Sequence, residues 1–529
     1  MKPRGHVNSV VAKSCHRLTT APRIESQAPR FDSPFSLFPP VQFRCLSLSL
    51  TALAAVLAGC AVGPDYKRPE ATTIPAAYTG ATNLVATDAE TTNGWKIAEP
   101  RAQIPKGNWW EIFGEAELNE LENQASAANQ QLKVAAARLA EARAQMDATR
   151  AGFFPNISLS GSYTRQRGSP NAPLSTTGTA SGRSATFNDF YVPLSLGYEV
   201  DLWGRVRRSV ESARAQAQAS ADDLETIKLM IQAEVAVDYF TLRALDAQRA
   251  VLNSSIQVFT KSLELTRNLR AGGAVSDLDV AQAQTVLKTT QAQLPAVTLQ
   301  RAQFEHALAL LVGQPASTFR ISERAISAAP PLIPSGLPSV LLERRPDISA
   351  AERRMAAANA SIGVAKAAFF PTVQLNGLAG LESLNAGTLF DASSRLWAVG
   401  PSITLPLFQG GRLRAGLRLA QATYEEMIAS YRQSVLTAFS EVEDNLAAQT
   451  LLANQYAAEN DALVAARKQL EIVNNQYRDG LITYLEVATA ESTVLNVEFS
   501  TTQLRGQQLV AAVTLVKALG GGWQETMKQ

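Results

Sequence analysis

Cysteine and histidine are nearly absent from this 529-residue chain, which holds three of each and no cysteine beyond Cys60. His306 is the only histidine after His16, so Ser-His-Asp, Cys-His and most zinc arrangements cannot be assembled from the body. Composition leaves room for a hydrolase that uses carboxylates alone, but no paired acidic motif supports one. Nothing resembles a nucleotide-binding glycine loop, so the chain supplies no energy of its own. A long hydrophobic run is also missing. The apolar, uncharged stretch 46–58 has 13 residues, well short of the roughly 20 that span a bilayer as a helix. Positive charge is scarce where it would matter. The formal net charge is +2, but residues 1–59 hold seven Lys/Arg and two acids, so the remainder carries −3. No basic patch argues for nucleic acid.

The short apolar run follows Arg44 and ends in small residues, as a signal-peptide core does. "LAGC" at 57–60 resembles the lipobox of bacterial lipoproteins, and the competing reading is a cysteine buried in an apolar helix. The resemblance implies that Cys60 becomes the first mature residue and carries an S-diacylglycerol and an N-acyl chain. No other cofactor and no metal are expected. The resemblance also implies sorting, with Ala61 rather than Asp after the cysteine favouring release to the outer membrane. Residues 1–40 are unlike a signal n-region and are expected to be untranslated or discarded, with Val41 placed to serve as a start.

The body is written twice, with an offset of roughly 207 to 216 residues. "RAGFFPNISLSGSY" from Arg150 returns as "KAAFFPTVQLNGLA" from Lys366, and "RAGGAVSDLDVAQAQ" from Arg270 returns as "RDGLITYLEVATAE" from Arg478. Each half reads helix, strand, polar loop, strand, very long helix, turn, long helix. A helix is expected over 115–150. Proline is absent from 205 to about 269, where Leu224, Ile227, Ile231, Val235, Leu242, Leu245, Leu252, Ile256, Phe259 and Leu263 mark a coiled-coil seam interrupted at Asp238. Residues 277–311 run back, broken at Pro295, and 412–477 with 484–519 repeat the plan. The domain reading is a leader over 1–59, a lipidated segment and first repeat over 60–312, an equatorial linker over 313–345, a second repeat over 346–522 and a tail over 523–529.

Strands of about ten residues are expected over 156–165, 191–201, 372–381 and 397–407. Their length suits tilted membrane strands, and Phe153, Phe154, Phe190, Tyr191, Trp203, Phe369, Phe370 and Trp397 sit at their ends as interfacial aromatics would. A small soluble sheet with core aromatics is the alternative. If the strands cross a membrane they must close into a barrel, and four cannot do so alone, because about eight is the practical minimum. A homo-oligomer follows.

The stretches "GCAVGPDYKRP", "NWWEIFGEAELNEL", "YEVDLWGRVRR", "GLPSVLLERRPDI" and "KALGGGW" together resemble the TolC-like outer-membrane efflux channels (outer-membrane factors), in the lipoprotein branch of OprM/NodT type. The resemblance spans residues 60–523. It implies an α+β membrane protein: a homotrimer whose four strands per chain make a twelve-stranded β-barrel on an α-helical coiled-coil tunnel. Its implied partners are a periplasmic membrane-fusion adaptor, an inner-membrane RND-type pump and outer-membrane lipid. The role is passive export, with no enzymatic activity. The alternative is a non-channel coiled-coil lipoprotein acting as a periplasmic scaffold or adaptor. "ERRPD" at 343–347 reads as a capping and ion-pair cluster, with Pro346 opening a helix.

At the turns, Gly272, Gly273 and Gly480 are expected to supply positive φ, and Ser276 with Asp279 reads as a capping box. The resemblance makes these turns the closed tip, with Asp279 and Glu486 as acidic residues and Leu485 as a constriction. Around them, Arg270, Gly272, Gly273, Arg478 and Gly480 form the adaptor-contact turns. Thr489 stands where a second carboxylate is common in the family, which puts a double acidic ring in doubt. Mass spectrometry of the mature protein should find Cys60 first, carrying lipid; any peptide from residues 1–40 would refute the reading of the leader.

Overall fold

The computed structural model describes residues 61–69, 78, 107–167, 186–326, 328–331, 333 and 344–521. The first repeat contains α1 (Ala116–Ala128), α2 (Gln130–Arg150), β1 (Asn156–Leu159), β2 (Ser162–Arg167), β3 (Thr186–Val200), α3 (Arg205–Ala271) and α4 (Asp277–Leu311). The second contains α5 (Pro346–Ala367), β4 (Thr372–Ser383), β5 (Arg395–Thr404), α6 (Arg412–Arg478) and α7 (Tyr484–Ala518). Both long helices have 67 residues and both returning helices 35, so the duplication visible in sequence is preserved turn for turn. At 1.5 Å per residue each long helix extends about 100 Å.

Two helix expectations need correction. The helix foreseen over 115–150 is two helices, parted at Asn129 with ψ at 128°. Its Oδ1 accepts from the amides of Gln131 and Leu132, and its Nδ2 donates to the Leu311 carbonyl at 2.8 Å. An asparagine that caps α2 and ties it to the end of α4 outweighs the helix formers around it. Conversely, α4 passes through Pro295 without a break. Leu287 and Val297, buried on either side of Pro295, hold the two segments against neighbouring helices despite the missing hydrogen bond.

α3 packs on α2 and α5 in its first part and on α4 and α7 in its second. It buries 25 residues, whereas α6 buries eight, so α6 is an edge of the helical layer while α3 is interior to it. Within the expected seam Ile231, Val235, Leu242, Leu245, Leu252, Phe259 and Leu263 are buried. Asp238 is buried too, its carboxyl pushed up to about 7 by burial and then by Glu234 one turn away. Helix α7 meets α3 closely at Gly506, where a Cβ would lie 2.5 Å from that of Ala244.

The expected ion-pair cluster is present in its described part. Arg345 stands at the N-cap position of α5 without a side-chain capping bond; it pairs with Asp347 and Glu441 and donates to the Ala518 carbonyl, with Pro346 opening the helix. A larger network went unforeseen. Arg243 pairs with Glu117 and Asp246, and Arg301 with Asp246 and Glu305. Arg243 and Arg301 also donate to the Ser322 and Ile321 carbonyls. α1, α3, α4 and the segment 319–324 are thereby knotted together. Replacing Arg243 by Leu would leave Glu117 and Asp246 without this partner, and should cost about 3–5 kcal/mol, read as a lower unfolding temperature in detergent.

Candidate functional site

Strand β3 pairs with β1 and β2 on one side and β4 on the other, and β4 pairs with β5, all antiparallel. β1 and β2 are one strand in a single register, interrupted opposite Pro193, which has no N–H to donate. The four expected strands are therefore present, although β3 begins at Thr186 rather than 191 and β5 runs from Arg395 to Thr404 rather than 397–407. Among the described residues the outer edges of β1–β2 and of β5 have no strand partner.

Residues paired across an antiparallel sheet share a face. One face carries Ile157, Leu159 and Tyr163, then Phe190, Val192, Leu194, Leu196 and Tyr198, then Val373, Leu375 and Leu381, then Trp397, Val399 and Ile403. Contact between the Tyr163 and Phe190 rings, 4.8 Å apart, agrees with this assignment. The opposite face carries Ser158, Ser160, Ser162, Thr164, Ser195, Gln374, Asn376, Ser402 and Thr404, with Phe187, Tyr191, Leu378 and Leu396 among them. Tyr191 is thus corrected: it points to the polar face, not into an interfacial belt. The apolar face is exposed to an extent water does not favour, with Trp397 at 78%, Val399 at 77% and Leu159 at 71%. At the helix end, Trp203 stacks on Phe370 at 4.7 Å and donates to the Pro371 carbonyl.

The N-terminal segment ends at the same junction. Val62 donates its amide to the Trp203 carbonyl, Ala61 packs at Gly204, and Asn359 holds the Pro64 carbonyl. Asp65 pairs with Arg208, and Arg68 donates to the Tyr431 hydroxyl. Cys60 itself lies outside the described residues, but its neighbour sits where helices give way to strands.

At the far end of the long helices are the two turns. Gly273 and Gly480 have φ of 77° and 73°, and Ala274 and Leu481 donate their amides to the carbonyls of Leu269 and Gln476. These are Schellman closures. Gly272 is corrected: it is right-handed, with φ of −80°, so only Gly273 uses the left-handed region in the first turn. The capping box is present, because Ser276 Oγ accepts from the Asp279 amide and Asp279 Oδ2 accepts from the Ser276 amide, with a further bond from the Ser276 hydroxyl to Oδ2. Asp279 Oδ1 also accepts from the Tyr484 amide at 3.3 Å, joining the turn of one repeat to that of the other. Burial opposes ionisation of Asp279, yet the hydrogen bonds from Ser276 and Tyr484 hold its carboxyl below the usual range. The Thr483 hydroxyl donates to Glu486 at 2.6 Å, and this bond lowers the Glu486 carboxyl. Arg270 pairs with Asp277 through two bonds and lowers that carboxyl too. Arg478 and Leu485 are exposed. Two exposed leucines beside them, Leu278 and Leu481, were missed; the repeat offset that aligns Leu278 with Leu485 would have found the first.

The two-faced sheet, open at both edges and continuous with paired long helices, matches a known family. The chain matches the outer membrane efflux protein family over residues 121–314 and 337–521. It belongs to that family. The toluene efflux pump outer membrane protein TtgF of Pseudomonas putida is 33% identical over 90% of this chain and 97% of its own length. The cation efflux system protein CusC of Escherichia coli is 30% identical over 93% of this chain and all of its own. The solved outer-membrane channel OprN aligns with a TM-score of 0.78 at 31% identity, covering 88% of this chain and all of OprN. This chain is therefore an outer-membrane channel component of an efflux pump and not an enzyme, and the scaffold reading is set aside.

The lowered pKa values of Asp277, Asp279 and Glu486 fix the sign of their pH dependence. Their contribution to the closed turns is fully present above the ordinary carboxylate range near pH 4, and is lost as acidification passes the lowered values. Asp279→Ala should weaken the cap by about 1 kcal/mol, seen at neutral pH as roughly fivefold faster hydrogen exchange at residues 276–279 and 484; unchanged exchange would contradict the bridging role.

Proposed function

We propose that three copies of this chain close head to tail into a ring, giving a twelve-stranded barrel in the outer membrane above a helical tunnel. The observation that carries this reading is the sheet with two unlike faces and two open edges. Unpaired N–H and C=O groups cannot face lipid, so each edge needs a neighbour. The edges differ, β1–β2 with α2 on one side and β5 with α6 on the other. Contact between copies is therefore heterologous, which generates a ring. The polar face then lines a water-filled lumen and the apolar face meets lipid.

The tip residues belong to the same reading. Leu278 and Leu481 offer a periplasmic adaptor an apolar landing surface beside Arg270 and Arg478. The adaptor in turn bridges to an RND-type pump in the inner membrane, completing a tripartite system. Glu486, repeated around the axis, forms an acidic ring that favours cations, and Leu485 narrows the passage there. Lipid on Cys60 tethers the chain at the level where Ala61 meets Gly204, while the strands supply the insertion itself. Cargo is chosen by the pump rather than by the duct, in keeping with relatives named for toluene and for cations.

Purified protein should migrate as a heat-modifiable trimer and conduct in planar bilayers. Glu486→Ala should lower cation-over-anion selectivity severalfold without loss of the trimer. A monomer that does not conduct would overturn the ring, and unchanged selectivity would remove Glu486 from the gate.

A further inference from the structure

The charged side chains of the strands are sorted by face. By register, Asp189, Glu199 and Glu382 all lie on the polar face, and Arg165, Arg167 and Arg395 all lie on the apolar face. The three arginines also share one end. Arg165 and Arg167 close β2, Arg395 opens β5, and both positions are opposite the ends where the strands join helices. Arg165 and Arg395 are exposed, and each stands two residues beyond or before an aromatic on the same face, Tyr163 and Trp397. An arginine on the lipid side costs little near the interface but several kcal/mol at the midplane, so these arginines mark the outer boundary of the apolar band.

Snorkelling to water explains that an arginine is tolerated there, but not why acids are confined to the other face. Had the rim needed only solubility, either sign would serve at these positions. An all-basic outer surface opposite an all-acidic inner one is complementary to an anionic layer surrounding the barrel, at the level of its outer headgroups. Guanidinium groups suit phosphate, because their fork binds two oxygens at once. We infer that Arg165, Arg167 and Arg395 form a collar that binds the phosphate groups of the phosphorylated glycolipid in the outer leaflet. The inference rests on the head-to-tail ring, which brings the outer end of β5 in one copy beside the outer end of β2 in the next. Each seam then presents arginines from two copies to one headgroup, and the lipid staples the seam it occupies.

The test uses the full-length protein in detergent with bis-phosphorylated lipid A as probe, the bound lipid being counted by native mass spectrometry. Lipid A with its phosphates removed, phosphatidylglycerol and inorganic phosphate are tested in parallel. Arg165→Gln with Arg395→Gln should weaken lipid A binding by roughly tenfold or more, as lost charge-assisted bonds would. Arg165→Lys with Arg395→Lys, which keeps the charge without the fork, should fall between and serves as the readout if the Gln variant does not assemble. Glu382→Gln, a change of charge on the lumen face, should bind as the unaltered protein does. Full retention by the Gln variant, equal binding of dephosphorylated lipid A, or equal binding of phosphatidylglycerol would overturn the collar. Trimer migration and conductance of the unaltered protein test the ring separately: if they fail, the ring reading falls, whereas loss of lipid selectivity with trimers intact concerns the collar alone.

Discussion

An unpaired strand edge cannot rest in lipid, and the architecture of this protein follows from that constraint. The chain contributes four strands, too few to close around a lumen. Its sheet is complete only as part of something larger, and the same holds for the helices below. α6 leaves most of its length uncovered and α2 buries only Ala135. Because α2 leads into β1 and β5 leads into α6, the unsatisfied strand edges and the uncovered helices lie along the same two borders of the chain. The one mode of contact proposed for the ring would therefore serve membrane and periplasm together.

Above and below, rigidity comes from different interactions. The helical layer is held by apolar seams and by small residues that allow close approach, as at Gly506 against Ala244. At the level of the linker, buried charges replace apolar packing, with Arg243 and Arg301 shared among acids and carbonyls from four segments. Burying ions is costly, so such a knot contributes less net stability than its bonds imply, but it permits only one arrangement of those segments. At the tip, stability comes from caps and Schellman turns, each worth about a kcal/mol or less. Fastening thus grades from a knotted middle to lightly held turns, where local opening costs least.

Much of this was legible in the residues. Repeated "FFP" segments, proline-free helices of equal length and turn glycines at matching offsets define the duplication and the order of elements, and they held to within a few residues. Asn129 and Pro295 were misread for one reason. Local preference makes asparagine unremarkable and proline disruptive, whereas the distant Leu311 carbonyl and the buried Leu287 and Val297 decide both cases. Gly272 and Gly273 are equivalent in sequence, and only the closure from Ala274 to Leu269 shows which one turns left-handed.

What the sequence determined by itself is the class of the molecule: a duplicated helix-strand plan, and strands of membrane length flanked by aromatics. Those features are local, and period and composition carry them. Tertiary structure alone decided what each strand residue faces and what each charged group touches. Asp279 reads as an acidic tip residue, yet it spans two turns 205 positions apart in the chain. The arginines of the strands look scattered along the sequence, yet they fall on one face once β2, β3, β4 and β5 are in register. A side-chain period of two assigns residues to two faces within a strand, but relating the faces of different strands requires the hydrogen bonds that pair them.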